Sequence, residues 1–181
     1  VADTSDVEPT LADGGTPLSP AGFLAKLESL SITHQTFEHD PVFTVEESKR
    51  MRGRLDGAHV KNLFLRNKKG AMWLVTCLED RSVDLKWLGD TLGAGRFSFA
   101  SPERLMKYLG VIPGAVTTFA AVNDNTGSVR IALDSALLEA SRINLHPLTN
   151  AMTTTIEPAD LLRFLDAVGH SPTLIEFEGP R

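Results

Sequence analysis

Two apolar runs, Val60–Arg66 and Ala71–Leu78, stand on either side of the short polar stretch Asn67–Gly70. Their length, their bulky apolar residues and the Asn/Gly-bounded stretch between them predict two strands joined by a tight turn. An isolated hairpin is marginal in water, so its apolar faces call for more strands and for helices packed upon them.

The same hairpin carries candidate chemistry. Lys61 and Asn62 head the first run, and Arg66, Lys68 and Lys69 gather at the turn. A lysine at the start of a buried strand costs desolvation unless it meets an anion. A bound phosphate, or a carbonyl acquiring negative charge, would supply that partner. The plainer alternative is a surface lysine before an ordinary hairpin, with Asn62 bonding to backbone.

Around the hairpin the pattern alternates irregularly between helix and strand. Ser19-Pro20 reads as an N-cap followed by proline in the first turn, opening a helix that ends near Leu30. His34–Glu38 reads as a strand. Thr44 and Glu47 form a capping box for a basic helix through about Arg52. Val83–Leu92 is a short helix, Arg96–Phe99 a strand, and Ser101-Pro102 opens a helix ended by Gly110. Short strands are expected at Phe119–Val122, Ser128–Leu133, Arg142–Leu145, Met152–Ile156 and Thr173–Phe177, with a helical turn at Asp134–Glu139. Pro158–Val168 is a helix. Without strict βαβ alternation, the fold class is α+β with a central mixed sheet.

The chain has 181 residues, 42% of them hydrophobic, which suits one globular domain. Residues 1–17 hold acids but no Lys or Arg and read as a mobile tail ahead of a single domain over 18–181. No run approaches a membrane span and no secretory leader is evident, so a cytoplasmic location is expected. The net charge of −5 argues against bulk nucleic-acid binding, yet eight cations fall in residues 49–69 against Asp56 alone. That local basic face, with Arg96, suits contact with a nucleic-acid end; the alternative is a solvated helix face.

Several familiar chemistries are missing. The glycine-rich stretch Gly89–Gly95 lacks the Lys-Ser/Thr of a phosphate loop. The five histidines show no metal spacing, and Cys77 has no cysteine partner and reads as a packing residue, so no metal or other cofactor is expected. No serine lies in a GxSxG elbow. Two further segments stand out. Leu109–Ala115, LGVIPGA, is a rigid turn with accessible amides, or simply a helix cap plus turn. Asn144–Ile156, NLHPLTNAMTTTI, places His146 just ahead of a threonine run.

Lys61-Asn62, Leu109–Ala115 and Asn144–Ile156, in this order, resemble the YbaK/ProX family. These are free-standing relatives of the editing domain of bacterial prolyl-tRNA synthetases, and the ProX-type members are the most similar. The resemblance spans about Ser19 to the C-terminus. It implies a curved, barrel-like sheet flanked by helices. It also implies a trans-editing deacylase that hydrolyses the ester of mischarged tRNA(Pro), with Ala-tRNA(Pro) as the expected substrate. By the same resemblance Lys61 and Asn62 are catalytic. Gly110, Pro113 and Gly114 line the aminoacyl pocket, and His146, with Asn150 and Thr154, shapes it. Arg66, Lys68, Lys69 and Arg96 are then candidates for acceptor-stem phosphates, and prolyl-tRNA synthetase is a candidate partner. The alternatives are an editor clearing serine or cysteine, a nucleic-acid-binding protein without turnover, or a module that docks on a synthetase.

Overall fold

A computed structural model of the chain describes residues 8–41, 44, 46, 50 and 55–177. The expected hairpin is its centre. Strand β2 (Ala58–Asn67) pairs antiparallel with β3 (Met72–Leu78), in a register that sets Lys61 opposite Cys77 and Asn62 opposite Thr76. The turn is held by one side chain. Asn67 Oδ1 accepts from the amides of Lys69 and Ala71, each at 3.0 Å, while its Nδ2 donates to Ala94 O at 3.0 Å.

From this hairpin the sheet grows in both directions. Beyond β3, β5 (Val129–Asp134) and then β8 (Thr173–Ile175) pair in parallel. On the other side, β6 (Ile143–Leu145) pairs in parallel with the first residues of β2 only. It is followed by antiparallel β7 (Met152–Ile156) and β1 (His34–Glu38). The short β4 (Phe97–Phe99) lies antiparallel to the far end of β2. The result is an eight-stranded mixed sheet that branches at β2, with β1 and β8 at its ends and unpaired with each other among the described residues.

Strand alternation divides the core in two. Phe64 and Leu74 enter one cluster, covered by α1 (Pro20–Ser29) and α4 (Pro158–Ala167), where Phe23, Phe119 and Phe164 meet with centroids 4.6–5.7 Å apart. Leu65, Trp73 and Val75 enter the other, beneath Leu88 of α2 (Leu85–Thr91). Helices therefore flank a mixed sheet, and the fold is α+β. The caps act as their residue types require: Ser19 accepts from Gly22 N, Asp84 from Lys86 N and Trp87 N, and Ser101 from Arg104 N at the head of α3 (Pro102–Leu109).

Two expectations need correction. Phe119–Val122 is not a strand but part of a 3-10 segment, Thr118–Asn123, started by the Thr117 side chain accepting from Phe119 N. It packs on β3 and β5, whose edges are already taken by β2 and β8 and by each other, so no ladder is open to it. Nor are residues 8–17 a free tail. Leu11 is buried, Ala12 N donates to Lys107 O at 2.8 Å, and Asn125 Nδ2 donates to Asp13 Oδ2 at 3.0 Å. Of the Thr44–Glu47 capping box, Glu47 lies outside the described residues, as does most of the basic helix it would open. Among the described residues, no helix is long and apolar enough to cross a membrane.

Candidate active site

β2 meets β6 over only two residues and then diverges from it. A small cavity opens there, about 50 Å³, lined by residues that include Asn62, His146, His39, His59, Asn144 and Thr153. Asn144 ties the two strands together at its base: its Nδ2 donates to the carbonyls of Asp56 and Ala58, and its Oδ1 accepts from Thr155.

Asn62 is fixed from behind. Its Oδ1 accepts from Thr76 Oγ1 at 2.7 Å and, more weakly, from Thr118 Oγ1 at 3.4 Å, and the two threonines bond each other at 2.6 Å. With the oxygen occupied, the Asn62 amide nitrogen remains as a donor. His146 is fixed by its turn. A carbonyl can only accept, so the 2.9 Å contact to Met152 O makes Nδ1 the donor and leaves Nε2 as the acceptor in the neutral ring. Burial holds its pKa below the ordinary histidine value, the nearby His39 adds to the effect, and the Met152 carbonyl opposes it. The His39 ring lies 6.3 Å away, and the Asp40 carbonyl takes its Nδ1 proton. In its neutral form His39 therefore accepts the Thr153 hydroxyl at Nε2, 2.9 Å away.

The direction of the His146 shift makes a prediction. A neutral His146 is favoured by the folded state, so its contribution to stability is complete above the unfolded pKa of about 6.5. It is lost as the pH falls toward the lower folded value. An NMR titration of the imidazole protons should show His146 titrating at lower pH than a free histidine. Any activity that needs its Nε2 lone pair should fall on the acid side with a midpoint below 6.5. A midpoint above 6.5 would contradict the burial argument.

Lys61 is next in sequence to Asn62, but its ammonium donates to the carbonyl of Arg81 rather than joining the lining of this cavity. Arg81 in turn pairs with Asp134, whose carboxylate is fully buried, through Nε at 2.9 Å. Cys77, opposite Lys61, has its thiol pushed up to about 11, chiefly by burial, which suits packing and not nucleophilic attack at neutral pH.

The other sequence candidates fall elsewhere. Gly110 ends α3 at φ 66, where an added Cβ would stand 2.6 Å from Asn123 Nδ2 and 2.8 Å from Pro17 Cβ. Gly110, Pro113 and Gly114 do not line the cavity. The chain that follows them reaches the site at Thr118, behind Asn62. Thr154 faces away to bond Thr36, and its neighbour Thr153 is the one on the wall; Asn150 is buried in the turn after His146. Arg66, Lys68, Lys69 and Arg96 gather at the opposite end of β2, about 17 Å of strand from Lys61 to Arg66, with Lys68, Lys69 and Arg96 exposed. Sequence reasoning did not find His39, His59, Glu79, Asn144 or Thr153, because strand pairing alone brings them here.

A sequence profile of the aminoacyl-tRNA editing domain matches residues 39–164. The chain belongs to that family. Within it the chain is of the ProX type. It is 40% identical over 154 residues to the prolyl-tRNA editing protein ProX of Acetoanaerobium sticklandii, covering 84% of this chain and 94% of that one. It is also 40% identical to the mouse prolyl-tRNA synthetase associated domain-containing protein 1, covering 84% and 93%. The fold is shared with the crystal structure of a candidate trans-editing enzyme for prolyl tRNA synthetase, at TM-score 0.67 and 23% identity over 89% of this chain and 99% of that one. The protein is an aminoacyl-tRNA deacylase, a hydrolase that edits mischarged tRNA.

Proposed function

We propose that the mischarged substrate is Ala-tRNA(Pro) and that the ester is cleaved at its 3′-terminal adenosine. The size of the Asn62–His146 cavity carries this reading. At about 50 Å³ it has room for only a few heavy atoms, since one water occupies roughly 10–15 Å³ on such a scale. So small a space favours the single side-chain carbon of alanine over the three ring carbons of proline. A synthetase cannot exclude alanine by bulk, because each missing methylene is worth only about 1–3 kcal/mol. A second and smaller sieve can remove the error. The names of the similar proteins, prolyl-tRNA editing protein and prolyl-tRNA synthetase associated protein, support tRNA(Pro) as carrier and the synthetase as partner.

In this reading the Asn62 amide donates to the ester carbonyl. The Lys61 ammonium, positioned by one bond to the Arg81 carbonyl, uses another of its three donors to stabilise the oxyanion or the terminal phosphate. His146 Nε2 accepts a hydrogen bond inside the small cavity and limits its volume. A water oxygen bonds to the ester carbon, the bond to the ribose oxygen breaks, and the water proton ends on that oxygen, with the adjacent 2′-hydroxyl as relay. Arg66, Lys68, Lys69 and Arg96 meet acceptor-stem phosphates.

The test is ester loss from Ala-tRNA(Pro) and Pro-tRNA(Pro). Alanine is expected to leave at least about 100-fold faster, the scale of a steric sieve. Equal rates would refute the size argument. Loss of serine or cysteine in place of alanine would reassign the substrate.

A further inference from the structure

Strand β3 is buried and apolar from Met72 to Cys77 except at Thr76. Valine has nearly the same shape and would fill that place without a polar group to satisfy. Thr118 repeats the feature. It is buried on the 3-10 segment that packs against β3, and the two hydroxyls bond each other at 2.6 Å. A hydroxyl has one proton. Thr76 gives its proton to Asn62 Oδ1 at 2.7 Å and therefore accepts from Thr118. The hydrogen bonds run in one direction, Thr118 to Thr76 to Asn62, and each polarises the next.

The side chain at the end of this chain lines the small cavity. An asparagine amide has a donor end and an acceptor end of nearly equal size, so shape alone does not fix which one faces the cavity. Two hydroxyl donors behind it do, because they take the oxygen and turn the nitrogen outward. We infer that Thr76 and Thr118 are positioning residues for the deacylation, holding Asn62 with its amide donor toward the ester carbonyl; this rests on the editing reading above.

Thr118 is itself held on both sides. Thr117 accepts from Phe119 N, and the Phe119 ring packs on Phe23 and Phe164. At the far end of the segment, Asn123 Nδ2 donates to Leu109 O at 2.9 Å and closes the loop that begins with Leu109–Ala115. Val111 and Ala115 anchor that loop in the core. The turn thus has a part in the site although its glycines and proline do not line the cavity. It carries the chain from α3 to Thr118.

The test removes the hydroxyls and keeps the shape, with valine, a residue at home in a buried strand. In Thr76→Val the Asn62 oxygen loses its 2.7 Å donor and the amide is free to turn. The kcat for the mischarged tRNA should fall about tenfold, with little change in KM. Thr118→Val leaves the direct donor in place and should lower kcat less, by about threefold. The double variant should fall no further than Asn62→Ala, because all of them act through one amide. Thr76→Ser returns the hydroxyl and should recover most of the rate. In NMR spectra of the full chain, the Asn62 side-chain amide pair should shift in Thr76→Val. A threonine that served only the fold would lower the urea midpoint and leave kcat of the folded protein as it was. An unchanged kcat in the folded double variant, a loss that serine does not recover, or an Asn62→Ala protein as active as the wild type would each overturn the inference. The editing reading is judged separately, by turnover of the wild type. Turnover that survives both valine substitutions sinks the positioning role alone. A wild type that hydrolyses no mischarged ester removes the editing reading and the positioning role with it, even where the Asn62 amide pair shifts.

Discussion

Replacing Lys61 by alanine is expected to slow deacylation of the mischarged tRNA by about 10²–10³-fold, the usual cost of removing one donor to a developing oxyanion. The magnitude separates this role from a structural one. In the structure the Lys61 ammonium makes a hydrogen bond to the Arg81 carbonyl on a half-buried strand. Such a bond contributes only about 1 kcal/mol, or somewhat more when one partner is charged. A lysine that merely tied β2 to the segment after β3 would therefore lower the urea midpoint slightly and leave the activity of the folded protein almost intact. A lysine that serves the ester would do the reverse. Lys61→Met, which keeps the aliphatic stem and removes the charge, sharpens the comparison. Both variants should remain folded by circular dichroism and lose turnover together. Retention of activity within about threefold in a folded Lys61→Ala protein, less than the 1.4 kcal/mol of a tenfold effect, would remove Lys61 from the reaction.

Local signals made most of the fold legible. The caps at Ser19 and Ser101 and the proline at position 158 announce three helices through chemistry that acts within one turn. The hairpin is announced by its turn, because Asn67 closes it with its own side chain. Features that depend on distant partners were harder to read. Leu11 and Ala12 belong to an acidic stretch that looks solvated, and their anchor is a carbonyl on α3 almost a hundred residues away. Phe119–Val122 has the apolar content of a strand, but whether a ladder edge is free for it is a property of the whole sheet. The site divides in the same way. Asn62 and His146 could be named through the family resemblance, and they line one cavity. The choice between Thr153 and Thr154 is a matter of strand parity. The register that sets Thr154 opposite Thr36 turns Thr153 to the other face, where it meets His39. Gly110 is legible as the end of a helix, and in the structure its positive φ closes α3 against Asn123 and Pro17; the pocket role implied by the resemblance is what its position does not show.

Asp134→Ala should destabilise the protein by roughly 3–5 kcal/mol, the cost of leaving a buried charge without its partner. The Asp134 side chain has no exposed surface, and that of Arg81 is 11% exposed. The carboxylate does more than neutralise the arginine. Its Oδ2 accepts from Leu78 N at 3.3 Å, where β3 ends, and its Oδ1 from Ala136 N at 3.0 Å, where the segment after β5 begins. Removing it leaves the guanidinium and two amides short of an acceptor, all within the strand end that carries the Lys61 contact. The double variant Arg81→Leu with Asp134→Leu should recover part of the loss, because a buried pair replaced by apolar groups is often neutral in stability. A urea series on the two single variants and the double one measures the coupling. The same variants test position as well as stability. The Arg81 carbonyl is the acceptor that holds the Lys61 ammonium, so freeing the Arg81 segment should lower kcat even in the double variant, where the fold is largely restored. Full recovery of kcat along with stability would show that the pair holds only the fold, with Lys61 positioned by the strand itself.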